Sequence, residues 1–199
     1  MSQDRERVLG KAAELLTRKP TASTDEIARA AGISRATLHR LFASRDTLVR
    51  ALEELGIRRL TAVLDAARIE EGDPEEAVRR LVAEAEPVAG FLAFLVTENQ
   101  LFEPGELNEG WVRVDERVGA LFRRGQEQGV FRIDLTSAWL TEALYALITA
   151  SAWAVQDGRV AARDSGRMAT ELLLGGVRRE QEREREQERE QGKGQERAR

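Results

Sequence analysis

The chain has 199 residues, 42 % of them apolar, with no cysteine and a single histidine, His39. That content can supply a buried core, but it leaves no disulfide, thiolate metal site, iron–sulfur cluster or cysteine nucleophile, and no multi-histidine metal site or serine triad; no metal, no cofactor and no catalytic residue is expected. The net charge of −4 conceals a gradient: residues 1–50 hold ten basic and six acidic side chains, a net +4, and the remainder therefore carries −8, which suits a nucleic-acid contact confined to one end.

Apolar residues recur at three- and four-residue steps along the chain, and no segment alternates as a strand does, so an all-α fold of about nine helices is expected. Charges at Asp4, Arg5, Glu6 and Arg7 precede any apolar stretch, the wrong layout for a secretory signal, so a cytoplasmic protein is expected. Arg5 and Arg7 read as an exposed terminus. A first helix runs from about Asp4 to Arg18, with Val8, Ala12, Leu15 and Leu16 on one face, and ends before Pro20. A second covers Thr24 to Ala31; Gly32 supplies a tight turn, and Ser34 can cap a third that ends near Phe42. Thr24 and Ser44 are further candidate caps, Ser44 opening a longer helix to about Ile69 that carries the chain away from the head.

Gly72-Asp73-Pro74-Glu75-Glu76 reads as a stop and restart, with proline at the first helical position and acids in the first turn. Helices are expected from Pro74 to Glu86, Val88 to Leu101 and Leu107 to Gln128. The stretch Thr136 to Gln156 is apolar nearly all round and needs cover on several sides; its most apolar run, Ala143 to Val155, is too short to span a bilayer, so no membrane is expected. A last helix follows Arg159, and the charged residues after Arg178 have nothing with which to dock on a core. These breaks are expected to divide the chain into a basic head over 1–46, a helical body over 47–178 and a charged tail over 179–199.

The segment TDEIARAAGISRATLHRLF, from Thr24, fits two short helices crossing at a steep angle: Ile27, Ala31, Ile33, Leu38 and Leu41 supply apolar contacts, Ala28 permits close approach and Gly32 makes the turn. With Leu38, Leu41 and Phe42 inward, the helical period turns Arg35, Ala36, His39 and Arg40 outward and leaves Thr37 on the flank. Such a helix suits a major groove, where arginine reaches guanine O6 and N7, and alanine or threonine methyls meet thymine; Arg35 is the first choice for base readout. Thr24, Ser34 and Ser44 can add helix-terminal donors toward phosphate.

The run from Ile33 to Leu48, ISRATLHRLFASRDTL, resembles the recognition helix and the start of the fourth helix of the TetR family of transcriptional regulators. The resemblance extends to the first helix and, more weakly, to the overall length, the helix count and the Leu172-Leu173-Leu174-Gly175-Gly176-Val177 ending. It implies base reading by the third helix and phosphate contacts from His39 and Arg45. The family usually carries tyrosine where His39 stands and histidine or tyrosine where Leu41 stands; Leu41 offers no hydrogen bond.

The resemblance further implies pairing through the last two helices, a palindromic operator in double-stranded DNA, and a small-molecule effector whose binding releases it. The need to cover Thr136–Gln156 points independently to a homodimer, with Ala146, Ala150, Trp153, Leu172 and Leu173 in the interface. Phe91, Phe94, Trp111, Trp139 and Tyr145 are the candidate walls of an effector pocket. Two other readings stay open: an interaction protein that recruits partners through its charged tail, and a helical-bundle enzyme using Glu98 or Glu142.

Overall fold

The computed structural model describes residues 2–97 and 108–178. The charged tail over 179–199, together with Glu98, Phe102 and Leu107, lies outside the described residues. Among the described residues are eight helices: α1 Ser2–Arg18, α2 Thr24–Ala30, α3 Arg35–Leu41, α4 Arg45–Ala67, α5 Pro74–Thr97, α6 Glu109–Glu127, α7 Ser137–Gln156 and α8 Ala162–Val177. The only β pairing described is one isolated antiparallel bridge, Phe131 with Arg178.

The helices expected over Pro74–Glu86 and Val88–Leu101 are one continuous helix, α5, with Pro87 inside it. Proline removes a backbone donor and crowds the preceding turn. Pro87 stands on the exposed face, while Ala85, Ala89 and Leu92 on the buried face hold both halves against the same neighbours. Packing on one side therefore outweighs a local break on the other.

Two apolar cores form. In the first, Val8, Leu9, Ala12 and Leu16 of α1 meet Ile27, Ala28 and Ala31 of α2, Leu38 and Phe42 after it, and Leu48 and Leu52 of α4. The second gathers Leu60, Val63 and Leu64 of α4, Val78, Leu81 and Val82 of α5, Val118, Leu121 and Phe122 of α6, Leu140 and Leu144 of α7, and Leu173 and Leu174 of α8. α5 is central, touching α1, α4, α6, α7 and α8.

Nonlocal contacts close the ends of the bundle. Arg68, after α4, adopts a left-handed conformation (φ 45°), and the Arg80 guanidinium of α5 donates to the carbonyls of Ala67, Arg68 and Glu71 at 2.7, 3.1 and 3.0 Å, satisfying acceptors the ending helix leaves open. At the other end Arg178 forms a two-pronged bond to Glu75, both distances 2.8 Å, with little of either side chain exposed.

α7 is long and apolar enough, by length and composition, to cross a membrane, yet it packs on α5, α6 and α8. Among the described residues, 28 % of its most apolar window is buried, so much of its apolar surface is exposed.

After α6 the chain folds back so that Phe131 covers Gly125; a Cβ there would lie 2.1 Å from a carbon of the fully buried ring. Gly125→Ala is expected to destabilise the fold by about 1–3 kcal/mol through overpacking, read as a lower urea midpoint with unchanged m.

Candidate functional site

The first four helices are set by local chemistry. Ser23, not Thr24, caps α2: its hydroxyl accepts from the Glu26 amide at 3.3 Å, and Glu26 accepts from the Ser23 amide at 2.9 Å. Thr24, expected as the cap, is the first helical residue, because the Glu three places after Ser23 completes the reciprocal pair. The Lys19 ammonium 2.6 Å away, then the Ser23 amide and hydroxyl, hold the Glu26 carboxyl at about 2. Gly32 at φ +67° makes the turn that most side chains resist. The Ser34 hydroxyl accepts from the Thr37 amide at 3.1 Å, and Ser44 caps α4 through Thr47 at 3.1 Å.

These caps fix which way α3 faces. Leu38 is 3 % exposed against the first core, with Ile33 and Leu41 partly buried beside it. Arg35, Ala36, His39 and Arg40 are exposed, and Thr37 is half-buried, its hydroxyl 2.9 Å from that of Ser34. The Arg35 guanidinium rests on the Asp25 carboxylate at 3.3–3.4 Å while its side chain stays 74 % exposed. Arg45 donates to the Ala22 carbonyl at 3.2 Å. Thr24, Arg35, His39, Ser44 and Arg45 border one shallow hollow of about 190 Å³. Arg5 and Arg7, expected as an exposed terminus, are exposed, and each also contacts the head: the Arg5 guanidinium lies 5.0 Å from the Phe42 ring centroid, and Arg7 donates to the Ala31 carbonyl at 2.9 Å.

In the body, α4, α5, α6 and α7 surround a cavity of about 540 Å³. Leu60, Leu92, Val96 and Ile148 give it apolar walls, Trp111, Tyr145 and Trp153 add rings, and Asp115 and Glu142 stand at its rim. Tyr145 donates its hydroxyl to Asp115 at 2.9 Å. The Trp111 indole N–H donates to Glu53 of α4 at 3.1 Å. Partial withdrawal from water raises both the Asp115 and Glu53 carboxyls above their usual range, against the opposing hydrogen bonds from Tyr145 and Trp111. Among the described residues no group of His, Cys, Asp and Glu is arranged to hold a metal ion.

A capped helix–turn–helix on a helical body with one large apolar cavity has clear relatives. The family model described as "Bacterial regulatory proteins, tetR family" matches residues 8–52. The HTH-type transcriptional regulator NfxB of Pseudomonas aeruginosa is 36 % identical over 174 residues, which is 86 % of this chain and 93 % of that protein. The chain belongs to the TetR family. It is a DNA-binding transcriptional regulator, as are its relatives. The HTH-type transcriptional repressor LfrR of Mycolicibacterium smegmatis is 28 % identical over 154 residues, 77 % of this chain and 80 % of that one. The crystal structure of LfrR in complex with proflavine superposes with a TM-score of 0.75 at 25 % identity, over 88 % of this chain and 97 % of that one. That of the TetR-family regulator PfmR from Thermus thermophilus gives 0.66 at 29 % identity, over 87 % and 100 %.

In this TetR-family chain the candidate pocket residues separate. Trp111 and Tyr145 line the cavity. Phe91 and Phe94, 3 % and 2 % exposed, sit instead in the first core with ring centroids 6.3 Å apart, because α5 turns that face toward α1 and α4. Trp139 is 60 % exposed at the start of α7 and does not line the cavity. Of the candidate interface residues, Leu172 is 66 % exposed, whereas Leu173 is taken into the chain's own core. Ala146, Ala150 and Trp153 border the cavity as well as the open face of α7. Sequence reasoning missed Leu60, Leu92, Val96 and Asp115, which share no local pattern; Asp115 four residues after Trp111 was the one available sign that an acid and a ring share a helix face.

The Arg35–Asp25 pair is solvent-exposed, and such pairs contribute little to stability. Asp25→Asn is therefore expected to leave urea unfolding within about 0.5 kcal/mol; a larger loss would mean that the pair orders α2 against α3.

Proposed function

We propose that the chain is a homodimeric repressor whose hold on a palindromic operator weakens when a small molecule occupies the cavity between α4, α5, α6 and α7. The observation carrying the DNA-facing half is the outward face of α3: Arg35, Ala36, His39 and Arg40 point to solvent from a helix whose inward face, at Leu38, is locked in the core. In this reading residues 1–46 dock on DNA, while 47–178 hold the effector and pair the subunits. Arg35 exchanges the Asp25 carboxylate for a base edge, Ala36 and Thr37 meet thymine methyls, and His39, Arg40 and Arg45 reach phosphates. Thr24, Ser34 and Ser44 set helix termini toward the same backbone.

Pairing is supported by the apolar face left open on α7 and α8, where Ala146, Ala150, Trp153, Met168 and Leu172 are exposed. Two copies packing α7 and α8 together bury that surface and place two recognition helices about 34–36 Å apart, or a multiple of that, across a two-fold axis.

Release requires that the ligand favour a conformation with the wrong head spacing. Trp111 offers the route. Its ring lines the cavity and packs against both apolar cores, and its N–H holds Glu53 in the middle of α4. A ligand pressing on the ring acts on the helix that carries the head.

Arg35→Ala is expected to relax base preference with a loss of about 1–3 kcal/mol, whereas Arg45→Ala weakens all sequences alike and lowers the salt slope by about one; selection from a random DNA pool followed by anisotropy titrations separates the two. An unchanged preference in Arg35→Ala would remove it from the readout. With proflavine as probe, operator affinity of the parent chain should fall about 5- to 150-fold, and Trp111→Phe, which keeps the ring but loses the donor, should reduce that response to under about fivefold while still binding operator. A full response in Trp111→Phe would place the coupling elsewhere.

A further inference from the structure

The cavity's walls are apolar, yet its charges are all of one sign. Among the described residues that line it, only Asp115 and Glu142 are charged at neutral pH, and none is lysine, arginine or histidine. The arginines flanking Asp115 on its own helix are committed elsewhere: Arg113 to Glu109 at 3.6 Å, and Arg117 to Asp65 and Glu70, both at 2.8 Å. Arg59 of α4 lies over the Phe91 ring, 5.0 Å from its centroid. Among the described residues, Asp115 has the neutral Tyr145 hydroxyl as its hydrogen-bond partner, and no cation is paired with Asp115 or Glu142.

We propose that the effector is an amphiphilic organic cation, its apolar or aromatic body seated among Leu60, Leu92, Ile148 and the rings of Trp111 and Tyr145, and its positive group held at the rim by Asp115 and Glu142. A neutral or anionic ligand would leave both acids at the opening without a countercharge. A cation supplies the missing countercharge and gains from the electron-rich faces of the rings. α7 presents Tyr145 and Glu142 to the cavity, while α4 and α5 present Leu60, Leu92 and Val96, so among the described residues no cationic side chain lines it.

This inference rests on the cavity's being the effector site, and the test separates the two. N-methylacridinium carries a fixed positive charge, and acridine is its neutral counterpart at mildly alkaline pH. Binding of each to the full chain is followed by quenching of tryptophan fluorescence, and operator release by anisotropy of labelled DNA. The cation should bind about tenfold or more tighter than acridine, the ratio falling toward one in Asp115→Asn and partway in Glu142→Gln. Circular dichroism checks the folding of Asp115→Asn, and the exposed Glu142 provides a variant that does not challenge the core. Equal affinity for the two probes, a ratio unchanged in both variants, or binding of neither probe would overturn the proposal. Charge-selective, Asp115-dependent binding that leaves operator affinity unchanged would sustain the cation inference and sink the effector reading; equal binding that still releases operator would do the reverse.

Discussion

One helix belongs to both apolar cores, and the remaining architecture depends on it. Leu48 and Leu52 of α4 are sealed in the core of the head, and Leu60, Val63 and Leu64 farther along it in the core of the body. Because α4 is unbroken over Arg45–Ala67 and close-packed at both ends, the head cannot tilt without moving it. Trp111 packs against both cores at once and fastens the middle of the helix through Glu53. A regulator of DNA binding needs such a shared element, since two separately packed units would move independently.

The two ends of α4 are held by different chemistry. Its C-terminal end is clamped from outside by Arg80 on the carbonyls of Ala67, Arg68 and Glu71, by Arg124 on the Ile69 carbonyl at 2.9 Å, and by Arg117 on Asp65. Its N-terminal end is held by the Ser44 cap, by Arg45 on the Ala22 carbonyl at 3.2 Å, and by apolar contact of Leu48 and Leu52. At the rise of an α-helix, Glu53 lies roughly 21 Å and Arg45 roughly 33 Å from the clamped end. Sideways displacement of the helix about its clamped end is therefore greater at Arg45 than at Glu53.

The head was legible because its determinants are local. Serine three residues before glutamate, glycine at the turn, and apolar residues at helical intervals specify two crossed helices within a span of about twenty residues, so the outward placement of Arg35, Ala36, His39 and Arg40 follows from periodicity. The error at Thr24 arose within the same grammar, where two adjacent hydroxyl residues compete and the position of Glu26 decides for Ser23. In the body, local rules were weaker. Pro87 reads as a break, yet the helix continues because the opposite face is buried; Leu172 and Leu173 read alike, yet one faces solvent and the other the core.

The sequence by itself determined the helical class, the capped reading head and the family, since each depends on residues a few positions apart whose interactions survive any arrangement of the body. Only the tertiary structure decided which aromatic residues face the cavity, that Phe91 and Phe94 belong to the head's core, and that Asp115, Glu142 and Tyr145 meet at one rim. The physical reason is that a cavity is a property of how four helices are rotated about their axes. Those rotations are fixed by the combined packing of both cores, and no short stretch of chain contains that information.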